Sequence, residues 1–221
     1  SISNAITLSE IGTIDTQSNA VTLAGVISNQ GANAATLKKT GAGSLTINNA
    51  NTYTGGTDLV AGTIVLGDSA ALGSGALTAS GTGVTLQAAS ATVALQNDIA
   101  LSQGLTIDAN GQLFTVDGEI SGAGALTKAG AGKLELSAAN TYSGGTTVSA
   151  GTLALGDGSS AGTGAITMAD ATTLQTDGEM TVANAITLEG ATNIATQGNA
   201  VVLSGVIDGA GSLTKLDGDI L

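Results

Sequence analysis

A chain of 221 residues that is 42% apolar but only 1% aromatic and 10% charged is not a disordered polar chain, which couples low hydrophobicity to high charge density. Its formal net charge of −12, set against five lysines and no arginine, excludes surfaces that grip nucleic acid or anionic membranes, because both need clustered cations. With no His and no Cys, it cannot host Ser-His-Asp or Cys-His catalysis or an imidazole or thiolate metal site, and only carboxylate chemistry is left.

Apolar residues recur two apart, the spacing that puts side chains on one face of a strand. In chain order the pairs are Ile6 and Leu8, Val21 and Leu23, Leu45 and Ile47, Ile64 and Leu66, Val84 and Leu86, and Val93 and Leu95. They continue through Ile99 and Leu101, Leu105 and Ile107, Leu134 and Leu136, Leu153 and Leu155, Ile186 and Leu188, and Val201 and Leu203. Gly, Asn, Asp or Ser interrupts every few residues, and no stretch of helical length carries a 3.6-residue stripe. The spacing therefore predicts short β-strands throughout. The 34 glycines allow tight corners, and the absence of proline leaves every backbone N–H able to donate to a ladder.

The chain is internally duplicated. Ala50-Asn51-Thr52-Tyr53-Thr54-Gly55-Gly56-Thr57 returns 89 residues later as Ala139-Asn140-Thr141-Tyr142-Ser143-Gly144-Gly145-Thr146. Asn4-Ala5-Ile6-Thr7-Leu8 recurs 180 residues on as Asn184-Ala185-Ile186-Thr187-Leu188, and Leu213-Thr214-Lys215 follows Leu126-Thr127-Lys128 by 87. The units run approximately 1–91, 92–180 and 181–221, about two and a half repeats of roughly 89 residues treated as one segment. The chain stops inside the third unit, which reads as a piece of a longer array.

A fixed period of this kind selects repeat architectures. A sandwich or propeller brings hairpins and usually aromatic anchors, whereas a parallel β-helix needs neither and is expected to pack small aliphatics in a narrow interior. At roughly 20 to 24 residues per coil one unit is about four coils, and the chain is about ten coils stacked at about 4.8 Å. The expected fold is all-β, a parallel β-helix (β-solenoid) of about ten coils.

The run Leu126-Thr127-Lys128-Ala129-Gly130-Ala131-Gly132-Lys133-Leu134-Glu135-Leu136, followed by Ala139 to Val148 and Gly151-Thr152-Leu153, resembles the autotransporter-associated β-strand repeat, also called the passenger-associated transport repeat. The resemblance covers about 30 residues in each of two copies; the third departs from it, with Leu216-Asp217-Gly218-Asp219 where the second has Ala129-Gly130-Ala131-Gly132. It implies a right-handed β-helix stalk of a type V secreted passenger, exported across two membranes, with the repeat aiding secretion and folding. It also implies a location outside a Gram-negative cell, with the passenger anchored to the outer membrane through a barrel that is not in this chain.

Candidate sites are few. Asp117-Gly118-Glu119, Asp177-Gly178-Glu179 and Asp217-Gly218-Asp219 could each set two acids on one strand face about 6.5 to 7 Å apart, near the spacing of inverting glycoside hydrolysis. In the other copies Asp117 is replaced by Ala24 and Ser204 and Glu119 by Val26 and Val206, while the glycine stays as Gly25 and Gly205, so backbone geometry is what the repeat retains. The Gly-Gly-x-Gly-x-Asp calcium nonapeptide is missing, and Gly156-Asp157-Gly158-Ser159-Ser160, with Gly67-Asp68-Ser69, reads as a corner. Tyr53 and Tyr142 invite sugar stacking, but one aromatic per four coils is sparse for a platform. The motif Asn51, Thr52, Tyr53, Gly55, Gly56 and Thr57, with Asn140, Thr141, Tyr142, Gly144, Gly145 and Thr146, is therefore read as structural, its Asn residues serving turns. No catalytic residue, metal ligand or cofactor is assigned.

Two functions fit. One is the stalk of a surface-exposed or secreted adhesin or self-associating passenger; the other is the stem of a secreted autotransporter enzyme whose protease or esterase domain lies outside this chain. Expected partners are the adjacent coils, further copies joined end to end or side by side, and host or neighbouring-cell ligands. Nucleic acid is excluded by charge, and no apolar run is long enough to span a bilayer. Repeat sequence reaches both ends, Ser1 to Ile6 and Gly218 to Leu221, with no charged cap, which predicts end-to-end association.

Overall fold

The structure is a computed structural model that describes residues 1–218; Asp219, and with it the second acid of the Asp217-Gly218-Asp219 pair, lies outside the described residues together with Ile220 and Leu221. The described residues form 27 strands, all short at three to five residues, and every named pairing is parallel. Parallel strands of this length need a crossover between neighbours, and here each crossover is the rest of one coil. Inward and outward residues alternate along the strands, as in the buried and half-buried positions of Val84–Ala88. The chain is thus the expected β-solenoid.

Three faces run along the axis. The first is an unbroken ten-stranded sheet from Val21–Leu23 through Ser44–Ile47, Thr63–Leu66, Val84–Ala88, Leu105–Asp108, Leu126–Ala129, Thr146–Val148, Ile166–Met168 and Ile186–Leu188 to Ile207–Gly209, one strand per coil. The second begins with the pair Ile6–Leu8 and Ile27–Asn29 and resumes as a seven-stranded sheet from Thr92–Leu95 to Ser212–Lys215. The third is a six-stranded sheet from Ile11–Asp15 to Ile120–Gly122, then the pair Met180–Val182 and Val201–Leu203. The interruptions fall at 48–56 and 67–76 on the second face and at 137–145 and 156–165 on the third. These are equivalent segments of the two repeats, and each contains the Asn-Thr-Tyr block or the Gly-Asp corner that follows it.

All twelve apolar pairs point inward, and every member but Val201, itself buried, belongs to or packs against one continuous core that runs the length of the rod. The narrow-interior expectation needs correction, however. Beside the aliphatics, the largest fully buried side chains are Tyr53, Tyr142, Lys39, Phe114 and Lys128. The tyrosines enter from the faces that lack strands, where no regular inward pair competes for the volume. Among the described residues no helix is long and apolar enough to cross a membrane.

Candidate functional site

The duplicated block is the most specialised part of the molecule. Asn51 is buried and its side chain replaces strand pairing on both sides: Oδ1 accepts from the Ile27 N–H at 2.7 Å, and Nδ2 donates to the Ala71 carbonyl at 2.6 Å. Asn140 repeats this between Ile120 and Ser160, at 2.6 Å on each side. One amide therefore ties three successive coils where the sheet is absent, satisfying backbone groups that burial would otherwise leave costly.

Two residues on, the ring of Tyr53 lies wholly inside, its hydroxyl 2.6 Å from Thr57 Oγ1, which in turn donates to the Leu72 carbonyl at 3.4 Å. Tyr142, Thr146 and Ala161 form the same relay, at 2.6 and 3.2 Å. Burial holds both phenols above their ordinary value, with the hydrogen bond shared with threonine acting in opposition, Tyr142 being pushed up to about 12. Neither ring is accessible to a sugar. Thr52 and Thr141 face outward, and Thr141 donates to Glu119 Oε1 at 2.8 Å. Gly56 and Gly145 adopt φ of +88° and +82°, so the block ends on left-handed corners that favour glycine.

Sequence reasoning missed the lysines. Lys39 and Lys128 are completely buried, and each ammonium sits among three backbone carbonyls. Lys39 Nζ donates to Thr40, Gly41 and Ala61 at 2.8, 2.7 and 2.9 Å; Lys128 Nζ donates to Ala129, Gly130 and Ala150 at 2.9, 2.7 and 3.1 Å. Desolvation lowers both below the usual lysine range, Lys128 to about 8, with Asp15 and Asp108 respectively acting in opposition. The signal was present in the period of two: Lys39 and Lys128 follow Leu37 and Leu126 by two residues, on the inward side. The other lysines are engaged as well. Lys38 pairs with Asp58 at 3.5 Å, Lys133 with Glu135 and Asp177 at 3.0 and 3.6 Å, and Lys215 donates to the Asp217 carbonyl at 2.9 Å.

The acid pairs are dispersed into local contacts. Asp117 accepts from Gln96 and from Ser137 at 2.8 Å, Asp177 from Gln175, and Asp217 from the Gln197 N–H at 2.6 Å. The retained glycine has a steric cause. A Cβ on Gly25, Gly118 or Gly205 would meet the carbonyl oxygen of Asn4, Asn97 or Asn184 at 2.0, 2.2 or 2.1 Å. Asp157 and Asp68 close their corners on the Ser159 and Ala70 N–H groups, each at 2.8 Å. Among the described residues no group of three or more acids gathers as a metal site.

Two equivalent hollows accompany the interrupted faces, one of about 250 Å³ beside Ser69, Gly73 and Asn97, the other of about 260 Å³ beside Gly158, Gly162 and Asn184. Both fall short of the roughly 300 Å³ at which small-molecule pockets begin. On the uninterrupted face Thr63, Thr85, Thr106, Thr127, Thr147, Thr167 and Thr187 stand in register on successive coils, an outward column of hydroxyls.

Comparison with known proteins agrees with this geometry. Residues 37–66 and 126–155 each match the passenger-associated-transport-repeat family, and each match holds one buried lysine, one bracketing asparagine and one buried tyrosine. Over 132 residues, 59% of the chain, it is 37% identical to the adhesin BmaC autotransporter of Brucella suis biovar 1 (strain 1330), of whose length it spans 4%. No solved structure matches the chain. The chain is therefore a β-solenoid segment that carries two passenger-associated transport repeats.

Proposed function

We propose that residues 1–221 are one stalk segment of a surface-exposed adhesin passenger on a Gram-negative cell, holding a ligand-binding region away from the membrane and anchored through a barrel encoded outside this chain. The observation that carries this reading is the match to an adhesin autotransporter across 132 residues that here form solenoid coils. In this reading the Asn, Tyr and Thr of the repeat are architectural, sealing the faces where strands are missing, and the repeat assists folding outside the cell. The chain has no catalytic role: its acids serve corners and ladders, so the isolated segment turns over no glycan, peptide or ester. Hydrolysis of an acidic polysaccharide that disappeared in Glu119→Gln would contradict that.

Antibody raised against the segment should label intact cells expressing the full-length gene, and in-frame deletion of residues 37–155 should reduce adherence to host cells. Labelling seen only after permeabilisation would overturn the surface assignment. Self-association belongs to the same proposal. Ile2 and Ile207 are 47% and 39% exposed although their register partners Leu23 and Ile186 are buried, so the isolated segment should form end-to-end species in sedimentation at high micromolar concentration.

A further inference from the structure

Most inward columns of this solenoid cannot tell one coil from another. Leu45, Ile64, Leu86 and Ile107 succeed one another on the first face as interchangeable aliphatics. Stacking a coil on its next-but-one neighbour, with the intervening coil looped out, would bury a nearly identical set. Hydrophobic burial is non-directional, so it favours the native register only weakly.

Lys39 and Lys128 interrupt their columns, lying between Ile14 and Leu59 and between Ile107 and Val148. Each ammonium takes two carbonyls from the corner of its own coil and the third, from Ala61 or Ala150, from the coil above. That third carbonyl comes from a corner of three residues, 60–62 or 149–151, that closes on a left-handed glycine, Gly62 at φ +74° or Gly151 at φ +72°. One coil further on, the corresponding corners are 80–83 and 169–172, four residues long. A slipped coil would bring a corner of the wrong length over the ammonium.

We propose that Lys39 and Lys128 are register pins, each selecting the coil that stacks above its own in a solenoid whose aliphatic columns alone leave the choice nearly degenerate. A buried polar group that specifies register at some expense of stability is a known device in packed helices, and an ammonium surrounded by carbonyls meets the same physical requirement. The pins act whatever the parent protein binds.

The chain has no cysteine, so disulfide reporters can be placed without background. Thr127 and Thr147 are adjacent in register, whereas Thr127 and Thr167 are two coils apart, roughly 9.6 Å, beyond disulfide reach. After refolding from urea and oxidation, the full chain carrying cysteines at 127 and 147 should cross-link, and the chain with cysteines at 127 and 167 should not. Adding Lys128→Met should raise the 127–167 cross-link at least tenfold while the circular dichroism stays β. Inserting one alanine between Ser149 and Ala150, with Lys128 kept, should do the same. Native cross-linking alone in both variants would overturn the proposal. If Lys128→Met abolishes β-structure, the insertion decides: slippage supports the pin, and native register overturns it.

Discussion

Leu37 and Leu126 occupy the same position in the duplicated sequence, yet they lie on different faces of the solenoid: Leu37 in the six-stranded sheet and Leu126 in the ten-stranded one. Following the register upward from Leu37 leads through Thr57, Leu77 and Ile99 to Ile120, which is 83 residues on. The remaining six of the 89 carry the chain round one more corner. The expected count of about four coils per unit comes to four and a third. Successive repeats therefore rotate by one face, and the strandless segments fall on neighbouring sides of the rod instead of piling up on one.

Burying a charge against the core should be severe. Leu134 and Leu153 are register partners inside the seven-stranded sheet, both with no exposure. Leu134→Asp or Leu153→Asp should cost about 4 kcal/mol or more, because an unpaired carboxylate would be buried. Thermal melts followed by circular dichroism check this, and an unchanged midpoint in either variant would contradict the inward assignment.

The asparagine bracket gives a second test. Asn140→Ala strands the Ile120 N–H and the Ser160 carbonyl inside the rod, at an expected loss of about 2 to 4 kcal/mol. Urea denaturation should show the lower midpoint. Thr141→Ala, which removes only an exposed contact to Glu119, should stay within about 0.5 kcal/mol of the parent.

Glycine positions should divide by their surroundings. A Cβ on Gly162, at φ +67°, would meet the Tyr142 carbonyl oxygen at 2.4 Å, whereas one on Gly178 meets nothing within 4 Å. Gly162→Ala should therefore destabilise by about 1 to 3 kcal/mol and Gly178→Ala should be neutral or slightly stabilising, as judged by the denaturation midpoint.

Stability should rise and then fall as the solution becomes alkaline. Lys128 titrates near 8 in the fold against 10.5 when unfolded, so below pH 8 the fold bears the full penalty of a buried ammonium. That penalty is relieved as the pH climbs from 8 towards 10.5, where the unfolded chain holds the extra proton. Tyr142 works the other way. Its phenol titrates near 12 when folded against 10.0 when free, so its contribution is present below pH 10 and is lost on the way to 12. Urea midpoints at pH 7, 9.5 and 11 should trace the rise and fall. The rise should shrink in Lys128→Met and the fall in Tyr142→Phe.

The alternation of Leu-x-Leu and Val-x-Leu determined, without any coordinates, that the chain would be short strands with one face inward, because a side-chain period of two is a local property of extended backbone. The repeat of 89 residues determined in the same way that these strands would stack. The face on which a given strand lies was not legible, because it depends on corner lengths summed round whole coils, and a surplus of six residues in 89 becomes a rotation only when the coils are stacked. The lysines show the same division. Period two places Lys39 and Lys128 on the inward side, but an ammonium belongs there only if acceptors surround it, and those come from carbonyls 22 residues further along the chain. Only the stacked structure brings Ala61 over Lys39 and Ala150 over Lys128.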